Sequence, residues 1–167
     1  FGELAILLPR ALSSVVFGIS WFHFYQNSTL FQIPLEWILM AVHGILLCPY
    51  WVRMILPTME TVPRRWRDES RVLGHGAWEH QVRIVFPWLR STFLIAFFFS
   101  FALSLGELNS TMMIADETVR TLPLEIYGAI SAYRFSYASA LAVILLLMSL
   151  IALLLMEKIL FQEEKSF

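Results

Sequence analysis

Residues 135–156 read FSYASALAVILLLMSLIALLLM, an unbroken run without Asp, Glu, Lys or Arg. A helix needs about 20 mostly apolar residues to cross the hydrocarbon layer of a bilayer, and this run supplies them. The pattern recurs upstream. Residues 11–35, 37–52 and 91–106 also carry no Asp, Glu, Lys or Arg. The 167-residue chain is 58% hydrophobic and 15% charged, against about 25% charged for a soluble domain. Its mean hydropathy is +0.67. These figures point to an all-α integral membrane protein and away from a soluble globular domain. The formal net charge of −1 gives no basic excess for nucleic acid and no acidic tail. The single Cys48 has no internal disulfide partner, and within an apolar stretch it reads as a small buried hydrophobe.

Four spans are expected. The first runs from Leu4 to Tyr25 and ends in Trp21, Phe22, Phe24 and Tyr25, aromatic residues suited to a membrane–water interface. The second runs from Leu35 to Leu56, bounded by Pro34 and Pro57. The third runs from Trp88 to Ile114, after Pro87. The fourth runs from Phe135 to Leu160. Proline at these edges fits its missing N–H and fixed φ. Thr121 to Ile130 reads as a short helix on the outer side, with Thr121 as its cap and Pro123 in its first turn. Phe1 stands where a complete chain has Met, which suggests one part of a longer protein.

Orientation follows from the loop charges. The link over residues 58–90 holds Arg64, Arg65, Arg67, Arg71, Arg83 and Arg90, whereas residues 26–34 hold no Lys or Arg. Cytoplasmic loops are enriched in Lys and Arg. The Arg-rich loop and the C-terminal tail, which carries Lys158 and Lys165, are therefore expected on the cytoplasmic side. Within the loop a helix is expected from Asp68, whose acidic side chain favours a helix N-terminus. Gly74 and Gly76 would end it. A second short amphipathic helix follows from Ala77, with Trp78 and Val82 near one face. On pattern alone, a solvated basic loop that sets only topology explains these features equally well.

The spacing of this loop resembles a known signature. Membrane subunits of binding-protein-dependent ABC importers carry Glu-Ala-Ala, a Gly after three further residues, and Ile-x-Leu-Pro after nine more. Here Asp68, Glu69 and Ser70 stand at the Glu-Ala-Ala positions, Gly74 at the Gly, and Ile84, Phe86 and Pro87 at the Ile, Leu and Pro. The stretches from His43 to Arg53, Ser104 to Asn109 and Arg120 to Tyr127 resemble the ferric-iron and thiamine branch of the same family. The resemblance implies a type I importer transmembrane bundle: four spans here, a cytoplasmic coupling helix and a short outer helix. Residues 1–167 would form a single, partial transmembrane domain, the C-terminal half of a longer permease in a bacterial inner membrane.

The resemblance also implies partners. Asp68, Glu69, Ser70, Leu73, Gly74, Ala77, Trp78, Ile84 and Pro87 would dock a cytoplasmic ABC ATPase dimer, which binds ATP and Mg²⁺. An extracytoplasmic solute-binding protein would deliver ferric iron, thiamine or a similar solute. A second permease half or subunit and membrane lipid would surround the spans, with no nucleic acid involved. This chain would carry no cofactor and catalyse nothing. It lacks a GxxxxGK[ST] phosphate loop.

Other residues bear on a translocation path. Glu107 is the one acid in the third expected span, a costly placement that points to function. Gly106 beside it permits close packing or a local break, and gating or bundle structure is favoured over solute contact. Ala96, Ser100 and Ser104 recur every fourth residue and suit close helix packing or a path lining, as do Ser14 and Gly18. Ser100, Ser104, Glu107 and Asn109 are the path or gate candidates. His43 is read as a hydrogen-bonded intramembrane residue. His23, His43, His75 and His80 show no metal-binding spacing. An intramembrane enzyme would have only Glu107 and His43 to work with. A membrane scaffold would leave the Gly74-to-Pro87 spacing unexplained.

Overall fold

A computed structural model describes residues 13–27, 33–72, 74, 76–116 and 119–164. They form α1 (Ser14–Asn27), α2 (Leu35–Glu60), α3 (Arg64–Val72), α4 (Ala77–His80), a π-helical turn (Gln81–Val85), α5 (Phe86–Leu105), α6 (Asn109–Ile114), α7 (Leu122–Ser131) and α8 (Phe135–Glu164). No strand occurs among the described residues. Among the described residues, three stretches are long and apolar enough to cross a membrane: Leu35–Glu60, Trp78–Leu105 and Phe135–Phe161. The expected first span is described only from residue 13 onward, as α1; its residues 4–12 lie outside the described part.

α5 packs against both α2 and α8, α1 lies on the short α6, and α7 lies on α8. Leu35, Ile38, Leu39 and Val42 of α2 form a buried cluster with Ile114 and Val119. Phe17, Trp21, Phe22 and Tyr25 of α1 pack against it. Most of the aromatic residues expected at a water interface thus face the bundle, while Phe24 remains exposed. Gly18 permits the approach of α1. A Cβ there would lie 3.0 Å from the Ser110 carbonyl oxygen and 3.1 Å from its Cα. The small-residue reading of Gly18 therefore has a definite partner. Up to Met156, α8 is apolar all round, and it exposes most of its surface, with Ala138 and Ala152 buried. A helix with this pattern suits lipid or a further membrane helix.

Two expected boundaries move. Pro57 does not end the second span; α2 continues to Glu60 with Pro49 and Pro57 inside it. An internal proline frees one carbonyl, and membrane helices tolerate this where nearby side chains re-satisfy the backbone. Pro57 lacks the N–H that would bond Arg53 O, and Thr58 Oγ1 donates at 3.4 Å to Met54 O, the next carbonyl along. The third span does not begin after Pro87. Helical backbone runs from Ala77 through the π turn to Leu105, so the second short loop helix is the near end of the span itself. The proline is accommodated by the widened turn before it, where the Phe86 N–H bonds to Gln81 O. That i→i+5 bond moves the backbone away from the carbonyl a proline ring would strike.

The far end of the third span also changes. The helix stops at Leu105, turns at Gly106, and resumes as α6 only at Asn109. Cys48, read as buried, is exposed on α2. It lies on a face of α2 that the neighbouring helices leave uncovered.

Candidate functional site

The loop is built around one backbone conformation. Gly74 adopts φ +78°, a left-handed geometry that residues with a Cβ adopt at a cost. It reverses the chain between α3 and α4. α3 begins at Arg64 directly after Pro63, earlier than Asp68, and has no acidic residue in its first turn. Proline fixes φ in advance for a helix start, which explains the earlier boundary. Asp68 and Glu69 consequently lie mid-helix and exposed, while Ser70 is buried. Val72 is 87% exposed and Trp78 80% exposed. Two large apolar side chains thus flank the bend without cover from the described residues. Ala77 opens α4, and Leu73 lies outside the described residues.

Behind the bend, α3 is braced on the span. The rings of Trp66 and Trp88 meet edge to face at 5.2 Å. Trp88 Nε1–H donates to Thr61 Oγ1 at 3.4 Å. Glu79 and Arg83 pair at 2.9 Å along α4 and the π turn. A groove of about 660 Å³ runs between α3 and the span, with Ser70, Ile84 and Pro87 in its walls. The structure therefore places Ser70, Ile84 and Pro87 together behind the bend, and Gly74 and Trp78 at its tip.

The second site is the junction after α5. His43 of α2 contacts both sides of the break. Its Nδ1 lies 2.8 Å from Ser104 Oγ before the break, and its Nε2 lies 3.2 Å from Thr111 Oγ1 after it. Thr111 Oγ1 donates to Glu107 O at 3.0 Å. With that hydroxyl proton engaged, a neutral ring donates from Nε2–H to Thr111 and accepts from Ser104 at Nδ1. The Glu107 carboxylate accepts from Ser110 N–H at 3.0 Å and Ser110 Oγ–H at 3.2 Å. Glu107 therefore lies in the turn beyond the span helix, not within it, and caps α6. A carboxylate at a helix N-terminus is favoured by the helix dipole. Of the two readings of Gly106, close packing or a local break, the break is the one present, and His43 is hydrogen-bonded as expected. Both candidates for intramembrane chemistry thus take part in the hydrogen bonds that hold the junction.

A cavity of about 450 Å³ lies beside this junction, between α2, α5 and the start of α7. Ser100 and Ser104 line it with His43 and Thr121; Glu107 and Asn109 do not. Asn109 begins α6 and is exposed. The Ser100 residue is only 6% exposed, and its Oγ has no hydrogen-bond partner among the described residues. Thr121 occupies the cap position of α7 but makes no capping bond, and its buried Oγ1 is likewise without a partner. The expected cap is correct in place and wrong in bonding. The sequence reading missed Thr111 as a ligand of His43. Ser104 and Thr111 are seven residues apart, a same-face spacing, but that signal holds only if the break preserves the face.

No protein-family model matches the chain. It is 24% identical over 157 residues to the putative 2-aminoethylphosphonate transport system permease protein PhnV of Salmonella typhimurium, covering 94% of this chain and 59% of PhnV. It is 26% identical over 164 residues to the probable transport system permease protein NifC of Clostridium pasteurianum, covering 93% of this chain and 57% of NifC. It is 25% identical over 165 residues to the thiamine transport system permease protein ThiP of Brucella abortus, covering 99% of this chain and 30% of ThiP. The chain thus spans less than three fifths of the first two and under a third of the last. Similarity along nearly the whole chain bears out the resemblance to transport-system permease subunits, and this is a permease-like all-α membrane protein.

Proposed function

We propose that this chain is the membrane-spanning component of an ATP-binding-cassette importer, with the segment from Asp68 to Trp78 as the dock for a separate cytoplasmic ATPase. The observation that carries the proposal is the bend at Gly74. It presents Val72 and Trp78 to the outside of a strongly charged loop. Exposed apolar side chains rimmed by polar ones mark interaction sites. The helix that begins at this bend continues into the span. Trp78–Leu105 comprises 28 residues, about 42 Å at the helical rise of roughly 1.5 Å per residue, which exceeds the ~30 Å hydrocarbon core. Movement of the bend is therefore transmitted along a single helix to Ser100 and Ser104.

In this reading ATP and Mg²⁺ bind the partner, an extracytoplasmic binding protein delivers solute, and a second permease half or subunit completes the path. The spans alternate between inward- and outward-facing forms. The membrane is a bacterial inner membrane, with residues 58–90 and the C-terminus cytoplasmic. The solute is small, of the thiamine or ferric-iron kind or similar. The test is co-purification from membranes with the cognate ATPase. Deleting residues 68–78 should abolish capture of the ATPase while the permease still inserts. Undiminished capture by the deletion variant would remove the docking assignment.

A further inference from the structure

The groove between α3 and the span, about 660 Å³ in volume, carries two charges that do not meet. Arg90 and Glu69 both line it and both are exposed, yet neither makes an ion pair among the described residues. The other charged residues in its walls, Glu79 and Arg83, pair with each other at 2.9 Å. Arg90 is the costly one. The α-helical part of the span, Phe86–Leu105, has 20 residues, about 30 Å at the helical rise of roughly 1.5 Å per residue, which matches the ~30 Å hydrocarbon layer. Arg90 lies one turn inside that stretch. A cation at such a depth extends toward the surface and takes a counter-charge there. The groove runs from Arg90 toward the bend. Trp66 and Trp88, packed edge to face at 5.2 Å, form part of its wall, and tryptophan favours the headgroup region of a bilayer.

Two further features narrow the occupant. On the side of α5 that carries Arg90, Phe86, Leu94, Phe97 and Phe101 recur at spacings of three or four residues, which is one helix face, and all four are exposed. An apolar track thus leads from the groove along the span. In the other direction the charges are ordered. Arg90 stands nearest the apolar stretch. Glu69, in the α3 wall, is one turn closer to the bend than Trp66, the residue that meets Trp88. A molecule lying here meets apolar side chains first, then a cation, then an acid.

We propose that the groove holds the headgroup of a phospholipid with a primary amine, phosphatidylethanolamine in class. The phosphate lies on the Arg90 guanidinium, the ammonium is directed toward Glu69, and the acyl chains follow the track of exposed phenylalanines. Guanidinium and phosphate match as a two-point hydrogen-bonded pair. An anionic headgroup without an amine would face Glu69 uncompensated. The lipid thereby ties α3 to the membrane end of α5. The assignment requires α5 to cross the membrane and does not require the importer reading.

Native mass spectrometry of the purified full-length permease, with equimolar phosphatidylethanolamine and phosphatidylglycerol of one acyl composition, tests it. Phosphatidylethanolamine adducts should exceed phosphatidylglycerol adducts by about threefold, the scale of one partly exposed ion pair. Arg90→Gln should lower the phosphatidylethanolamine adducts by a similar factor, and Arg90→Lys should retain them. Glu69→Gln should remove the preference over phosphatidylglycerol; if Arg90→Gln does not fold, this comparison decides alone. Unchanged adducts in both glutamine variants, or a parent preference for phosphatidylglycerol, would overturn the site. The preference should survive in the complex with the ATPase. Its loss there would show that the ATPase fills the groove, and would overturn the lipid assignment. The readout involves neither ATP nor solute, so the lipid site and the importer reading can each fail alone.

Discussion

At the scale of single residues, two glycines make opposite demands. Gly18 needs its missing side chain for space, since a Cβ would meet the Ser110 backbone at 3.0–3.1 Å. Backbone cannot swing aside as a flexible side chain can, and overpacking of this kind costs about 1–3 kcal/mol. Gly18→Leu should therefore lower the thermal unfolding midpoint of the purified permease clearly, and Gly18→Ala by less. An unchanged midpoint for the leucine variant would show that α1 does not rest on α6. Among the described residues no atom lies within 4 Å of a would-be Cβ at Gly74, so its demand there is one of φ. Placing a Cβ in the left-handed region costs roughly 1–2 kcal/mol, with Asn among the few residues that go there routinely. If the importer reading proposed above holds, ATP-driven uptake should fall in the order Gly74, Gly74→Asn, Gly74→Ala, Gly74→Val. If the valine variant transported as well as the parent, the bend would not need this conformation. Gly74 was legible in the sequence because its spacing to Pro87 marks the bend. Gly18 was legible only as a small residue, because its partner lies more than ninety positions away, on an element whose existence depends on the break at Gly106.

At the scale of elements, the sequence revealed the apolar helices more faithfully than their ends. Charge-free runs mark what lies between the ends, but Pro57 and Pro87 both proved internal to helical backbone. Proline excludes one hydrogen bond, and whether that ends a helix depends on what else can satisfy the freed carbonyl. At Pro87 the backbone widens into the π turn just before the proline, with the Phe86 N–H on Gln81 O. Pro87→Ala removes the reason for the turn, and α-helical backbone through residues 81–85 would rotate Trp78 by about 100° relative to α5, the angle of one residue at 3.6 per turn. On the importer reading proposed above, the variant should fold and still capture the ATPase while uptake per ATP hydrolysed drops. Equal coupling in the two proteins would separate the π turn from transmission. The break at Gly106 makes its own prediction. His43 joins Ser104 to Thr111 across it, and hydrogen bonds between membrane helices are worth about 0.6 kcal/mol on average and at most roughly 1.7. A double-mutant cycle on His43→Ala and Thr111→Val should give a coupling energy in that range. Strict additivity would mean the observed contact contributes nothing.

At the scale of the whole molecule, sidedness rests on two crossings. The Arg-rich loop precedes α5 and the tail follows α8. If both helices span, loop and tail share a side whatever the path of residues 1–12. The α7–α8 turn then lies on the opposite side. That turn is well suited to water: Ala132 to Arg134 close α7 with Arg134 N–H bonded to Ala129 O at 2.9 Å and Tyr133 N–H to Ile130 O at 2.9 Å, the pattern of a left-handed helix terminus. Tyr133 adopts φ +58° there and is largely exposed. Single cysteines at Glu69, at Tyr133 and at Phe167 read the arrangement directly in sealed, oriented membrane vesicles. An impermeant maleimide added to the cytoplasmic face should label the Glu69→Cys and Phe167→Cys proteins and spare Tyr133→Cys. Added to the other face it should do the reverse. Labelling of the Glu69 and Phe167 positions from opposite faces would mean that α5 or α8 does not cross. An ATPase could then meet the loop only in a different architecture, because the charge pattern that orients the chain and the helix that joins bend to cavity would no longer describe one path.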